Sequence, residues 1–374
     1  MPRFHHDDLA RLAAADRLRS LRPRAGADFA SNDYLGLAGS PRLGTAVAAA
    51  LARGVAVGSG GSRLLRGNHP EHEALEVEAA RHFGSAAALF FASGFAANQA
   101  LFATLPQPDD IVVHDERIHA SAHDGMRLGR APRLAVRHND ADAFDTAIRD
   151  WRARGGTGTP WIAVESLYSM DGDVAPLDDL ARIASRHDAM LLIDEAHASG
   201  VFGPRGRGLA HHLHHRDDVV TLHTCGKALG VEGGLLCLPA HLREFLINRG
   251  RGFVFSTAPS PLVAAAVREA LRMLADEPER QTALAALVTH AGKRLVALGV
   301  PPTGTQIVPV ILGEDGVAVA RATALQAAGF DVRAIRPPTV APGTARLRLS
   351  ITLNVDAAAI DALADTLAAI LEPA

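Results

Sequence analysis

From residue 70 to residue 238 the chain alternates short apolar runs with stretches of helical period, and that alternation admits few folds. The runs at 86–92, 110–114, 134–137, 161–165, 190–194 and 219–222 read as strands. Helical periods at 70–83, 95–105, 119–128, 140–154 and 176–187 lie before and between them. Strands that take turns with helices predict an α/β fold with a doubly wound, mostly parallel sheet. A further run at 233–238 reads as an edge strand. After residue 276 the texture changes, with helices at 278–298, 316–328 and 355–371 and strands near 307–312 and 346–351. The expected organisation is an N-terminal segment (1–36), a large domain (37–276) and a smaller α+β C-terminal domain (277–374).

The composition narrows the class. With 48% hydrophobic and 21% charged residues, the 374-residue chain reads as a folded protein of more than one core. A net charge of −3 gives no whole-surface attraction to nucleic acid. No apolar run approaches the roughly 20 residues that cross a bilayer. The arginine-rich start lacks a signal-peptide core, and Cys225 and Cys237 cannot form a disulfide framework. A cytoplasmic protein without a membrane or nucleic-acid partner is the reading.

Of the 38 basic residues only Lys227 and Lys293 are lysine. Lysine alone has a primary amine that can lose its proton and condense with a carbonyl. Lys293 lies in an amphipathic run, where a solvated helix face accounts for it. Lys227 lies in His-Thr-Cys-Gly-Lys-Ala-Leu-Gly, a glycine-flanked turn after an apolar run, which suits a covalent catalyst.

In open α/β sheets, ligands sit beyond the carboxyl ends of the strands. At those ends stand Ser93-Gly94-Phe95, His119, Ser169, Asp194 with His197, and Thr224 to Lys227. A helix opening at Gly94 offers free N–H groups and a dipole to a phosphate, although glycine also serves as a plain turn. Asp194 can pair with a pyridinium nitrogen or act as an N-cap. His119 can stack on a flat ring or simply start a helix. Phosphate cradle, ring partner, acid and lysine in that order suit pyridoxal phosphate.

Over nearly its whole length the sequence resembles the α-oxoamine synthases, pyridoxal-phosphate enzymes of the aspartate-aminotransferase fold type. The resemblance is carried by Ser31-Asn32-Asp33-Tyr34-Leu35-Gly36-Leu37 and by Gly58-Ser59-Gly60-Gly61-Ser62-Arg63 with Gly67 and His72. Ser169-Met170-Asp171-Gly172-Asp173, Asp194 to His197 and Thr224 to Gly230 add to it. The runs Ala334-Ile335-Arg336-Pro337-Pro338-Thr339-Val340 and Gly343 to Leu349 are closest to the branch that joins L-alanine to a pimeloyl thioester in biotin biosynthesis. Another member of the group, such as a glycine C-acetyltransferase, is the alternative; thiol release from paired substrates separates the two. A nicotinamide dehydrogenase is disfavoured, because no strand runs into G-x-G-x-x-G followed by a distal acid.

The resemblance implies a role for each matching residue. Lys227 joins the cofactor covalently and moves the Cα proton. Asp194 pairs with the ring nitrogen, His197 approaches the phenolic oxygen, and His119 stacks on the ring. Gly94 and Phe95 N–H groups and the Thr224 hydroxyl hold the phosphate, and Ser169 borders the cofactor. Arg348 holds the amino-acid carboxylate, with Asn32 near the substrate. Ser62, where aminolevulinate-forming relatives carry threonine, leaves room for alanine's methyl. Arg19 and Arg336 lie near the acyl chain and its far carboxylate. A homodimer with shared sites is implied, Thr257 with Ser256 reaching the neighbour's phosphate. The thiol carrier is coenzyme A or a carrier protein.

Two departures stand out: Cys225 for a bulky apolar residue, and His123 for an aliphatic one. The cluster His211, His212, His214 and His215 lacks a matching cysteine or acidic set and reads as an exposed loop, not a metal site.

Overall fold

The computed structural model describes residues 3–371. They form two compact units. One comprises residues up to Tyr34, Ser169–Asp173 and residues from Thr282 onward; the other comprises Leu35–Tyr168 and Val174–Gln281. The N-terminal residues thus group with the C-terminal ones.

The larger unit is built on seven strands: β1 (Ala87–Phe91), β2 (Ile111–Asp115), β3 (Arg133–Val136), β4 (Pro160–Glu165), β5 (Met190–Asp194), β6 (Val219–Thr224) and β7 (Gly234–Leu238). Their order is β1-β7-β6-β5-β4-β2-β3. Neighbours from β6 to β3 pair in parallel, and β7 runs antiparallel to both β1 and β6. This is the expected doubly wound, mostly parallel sheet.

The edge position expected for β7 is corrected. It lies between β1 and β6, and all five of its residues are buried. A run apolar at every position, Gly-Leu-Leu-Cys-Leu, is the pattern of a strand covered on both faces.

Alternation along the strands divides the core in two. Ile111, Val113, Ile162, Val164, Leu191 and Ile193 pack with Phe144, Ile148, Leu180 and Ile183 from helices Ala141–Ala153 and Leu177–His187. On the opposite face Val112, Trp161, Ala163, Leu192, Val220 and Leu222 pack with Leu101, Phe102, Ala122 and Met126 from helices Gly94–Thr104 and Ala120–Leu128. The helices Pro41–Ala52, Ala240–Arg249 and Pro261–Asp276 were not resolved by pattern. The last carries a clear start signal, since Ser260 Oγ accepts N–H bonds from Leu262 (3.2 Å) and Val263 (3.4 Å) and Pro261 follows it.

In the smaller unit, strand Ala345–Ser350 lies between Arg333–Ile335 and Ile307–Gly313, antiparallel to both. Its alternation sets Arg346, Arg348 and Ser350 on one face and the fully buried Leu347 and Leu349 on the other. Helix Asp315–Ala327 packs against this sheet and against helix Ala357–Leu371. No helix among the described residues is long and apolar enough to cross a membrane.

The histidine cluster is also corrected. His212 and His215 are exposed, but His214 is buried and its Nδ1 lies 2.6 Å from the Phe83 carbonyl. Its apolar neighbours, Phe83 and Leu213, draw it inward. Among the described residues no group of three or more His, Cys, Asp or Glu side chains is arranged to hold a metal.

Candidate active site

The carboxyl ends of β5 and β6 and the start of helix Gly94–Thr104 bring together most of the residues singled out in the larger unit. Asp194 is the last residue of β5 and is buried. Its Oδ2 accepts from Asn98 Nδ2 at 2.7 Å and its Oδ1 from the Ala196 N–H at 2.9 Å. His197 follows on the same turn and is buried.

Helix Gly94–Thr104 starts where β1 ends. Ser93 Oγ caps it by accepting the Ala96 N–H at 3.1 Å. The Gly94 and Phe95 N–H groups, having no acceptor within the helix, point out of its positive end. Thr224, the last residue of β6, borders the same spot. A Cβ added to Gly94 would stand 3.2 Å from Thr224 Oγ1, so a side chain there would crowd the hydroxyl.

Lys227 is half-buried on the turn after β6. The turn is tied by Cys225 N–H to the Gly233 carbonyl (2.9 Å), Val231 N–H to Cys225 (2.9 Å) and Gly230 N–H to Lys227 (2.8 Å). Gly230 is required there. Its φ is +67°, and a Cβ would lie 2.4 Å from the Ala38 nitrogen.

His119 is the N-cap of helix Ala120–Leu128, its Nδ1 accepting the Ser121 N–H at 3.2 Å and lying 2.8 Å from Ser121 Oγ. Burial, with the charge of Lys227 adding to it, holds His119 below the usual imidazole range against the pull of Asp194. His119 therefore shares an electrostatic environment with both.

Sequence reasoning passed over two buried polar residues here. Asn98 was legible only as one of two adjacent amides, with Gln99, in a mostly apolar helix. Glu195, fully buried, accepts N–H bonds from Leu209 (3.0 Å) and Ala210. Burial pushes its carboxyl up to about 7.

The glycine-rich loop lies in the same unit. Ser62 accepts the Leu65 and Gly67 N–H groups at 3.1 and 2.9 Å through its carbonyl. The loop is fixed to the segment holding Thr257, because the Gly61 carbonyl accepts the Ala258 N–H at 2.9 Å. Ser256 and Thr257 are exposed.

In the smaller unit Arg348 is buried, and its four hydrogen bonds all end on uncharged acceptors. Nε donates to the Ser169 carbonyl (2.6 Å), Nη1 to Ser350 Oγ (3.0 Å), and Nη2 to Asn32 Oδ1 (3.1 Å) and the Tyr34 hydroxyl (3.3 Å). The neighbouring Arg346 is instead neutralised by Asp171 at 2.6 Å. Arg348 thus brings together Asn32 and Ser169 and keeps a positive charge to offer. Arg19 donates to Thr339 Oγ1 at 3.2 Å and Arg336 to the Asp16 carbonyl. Burial and the charge of Arg19 lower the Arg336 pKa, as expected of neighbouring cations.

The chain is similar to known proteins over most of its length. The family model of aminotransferase class I and II matches residues 25–367. An 8-amino-7-oxononanoate synthase from Anaeromyxobacter dehalogenans is 44% identical over 93% of this chain and 87% of that protein. A serine palmitoyltransferase from S. paucimobilis, solved with bound PLP and myriocin, is 26% identical, with a TM-score of 0.89 over 98% of this chain and 96% of that one. The 8-amino-7-oxononanoate synthase from Francisella tularensis is 25% identical, with a TM-score of 0.77 over 92% of this chain and 97% of that one. Matches of this extent, on a sheet whose strand ends carry the acid and the lysine, make the chain a member of the aminotransferase class I and II family, grouped with the 8-amino-7-oxononanoate synthases.

Proposed function

We propose that the protein condenses L-alanine with a pimeloyl thioester, of coenzyme A or a carrier protein, to give 8-amino-7-oxononanoate, carbon dioxide and free thiol. It acts in the cytoplasm as a homodimer, in biotin biosynthesis. Pyridoxal phosphate is its cofactor. The donor set at the strand ends suits that group: a helix N-terminus beside a hydroxyl for the phosphate, a buried carboxylate for the ring nitrogen, and an amine on a fixed turn. When bound, the cofactor supplies an electrophilic carbon and an electron sink for charge developing at the amino acid's Cα.

Every other part of the reaction falls to the chain. Lys227 Nζ holds the cofactor, then removes and returns the Cα proton. Asp194 accepts the ring N–H, with its carboxylate held in place by Asn98 and Ala196. His119 would lie against the ring, and His197 would donate to its phenolic oxygen. Gly94, Phe95 and Thr224 hold the phosphate, Thr257 reaching that of the other subunit, and Ser169 borders the ring. Arg348 grips the carboxylate of alanine beside Asn32, and Ser62 accommodates its methyl. Arg19 and Arg336 bind the far carboxylate of the pimeloyl chain.

The observation that carries this reading is Arg348, a buried guanidinium whose partners are all neutral. A carboxylate is what such a planar fork binds best. The test is thiol release by purified holoenzyme with alanine or glycine paired with pimeloyl, acetyl or succinyl thioesters. Turnover should be fastest with alanine and the pimeloyl thioester. Preference for glycine and a short acyl group would refute the assignment. Lys227→Ala should abolish turnover and the visible absorbance of the bound cofactor.

A further inference from the structure

We infer that Asn98 is a positioning residue that fixes the carboxylate plane of Asp194 and, through Ser121, the proton position on His119. Its side chain is buried on the helix that begins at Gly94. Nδ2 donates to Asp194 Oδ2 at 2.7 Å and to Ser121 Oγ at 2.9 Å. A carboxylate only accepts, so the NH2 end must face Asp194.

That orientation determines the rest of the chain of bonds. Ser121 Oγ, having accepted from Asn98, has its own proton left to donate to His119 Nδ1 at 2.8 Å. The Ser121 backbone N–H is aimed at the same nitrogen at 3.2 Å. With two donors directed at it, Nδ1 is an acceptor, and the ring proton resides on Nε2. His119 is therefore a neutral ring of one tautomer. On the other side, Asp194 accepts one N–H on each oxygen, from Asn98 and Ala196, which fixes its plane. One amide thus couples the acid at the end of β5 to the imidazole at the start of helix Ala120–Leu128. A residue there only to satisfy buried polar groups would change stability and nothing else.

The inference rests on the cofactor reading above, and its test separates the two. Asn98→Asp keeps the side-chain volume, removes the fixed NH2 donors and sets a second carboxyl against Asp194; Ser121→Ala removes only the hydroxyl. In the holoenzyme, Asn98→Asp should weaken cofactor binding about tenfold or more and change the visible spectrum. It should lower kcat about 10- to 100-fold while leaving the KM for alanine unchanged. By 15N NMR, His119 should show an Nε2–H tautomer in the wild type and a smaller Nε2–H share in Ser121→Ala, where only the backbone N–H still points at Nδ1. If Asn98→Asp does not fold, the Ser121→Ala spectra decide the matter. Variants matching the wild type in cofactor affinity, spectrum and His119 signals would overturn the inference. A wild type that takes up no cofactor overturns the proposed function instead, and the His119 tautomer in that protein still decides this point.

Discussion

The imidazole of His223 lies flat on the ring of Phe83, with centroids 3.6 Å apart and planes 15° apart. Neither ring is exposed. His223 is held by Ser199 Oγ at 2.7 Å and Thr221 Oγ1 at 2.9 Å. His214 and His82 flank the same phenylalanine. Burial is the main cause that lowers all three histidines, taking His82 and His214 to about 4 and His223 well below its ordinary value.

Groups whose folded pKa is depressed stabilise the fold above the unfolded value of 6.5, and that stability is lost as pH falls toward the folded value. Glu195, raised to about 7, acts in the opposite sense, its contribution being lost as pH rises through that value. Three histidines against one carboxyl leave a net loss on acidification. We expect the melting temperature to fall from pH 7 to pH 4.5, with His82→Leu flattening the profile. A profile in the variant as steep as in the wild type would contradict this.

Arg348→Lys keeps the charge but not the fork. The KM for alanine should rise about 10- to 100-fold, since a hydrogen bond to a charged group contributes roughly 1.5–3 kcal/mol. Arg346→Lys, in an arginine already paired with Asp171, should change KM far less. Steady-state kinetics on both variants, with melting temperature as a check on folding, decides the point.

At the proposed phosphate cradle, Gly94→Ala would put a methyl 3.2 Å from Thr224 Oγ1 and 3.3 Å from Thr224 Cβ. The fold should survive and cofactor affinity should drop about tenfold, as should that of Thr224→Val. Gly230→Ala is a different case, because its φ of +67° and a Cβ only 2.4 Å from the Ala38 nitrogen would disturb the backbone itself. Comparing melting temperature with cofactor titration distinguishes the two outcomes.

Glu76 is buried and accepts from three sides: Arg63 Nη1 at 2.8 Å, Arg243 Nη2 at 3.1 Å and the Phe90 N–H at 3.1 Å. Removing one partner of a buried pair costs about 3–5 kcal/mol. Glu76→Gln and Arg63→Met should each lower denaturant-derived stability by about that amount, and the double variant by clearly less than the sum.

Local periodicity was sufficient to mark most strands of the larger sheet and the helices between them, because burial on both faces demands continuous apolar runs. It was also enough to single out Lys227, since in a chain with two lysines one on a glycine-flanked turn calls for a chemical reason. The place of β7 inside the sheet was decided by pairing between distant segments, as was the burial of His214 against Phe83. Asn98 belongs with these. Its meaning comes from Asp194 and Ser121, which are brought beside it by strands and helices far along the chain, and a hydrogen bond between such positions leaves no local pattern. Sequence fixes which groups are available; packing fixes which of them meet.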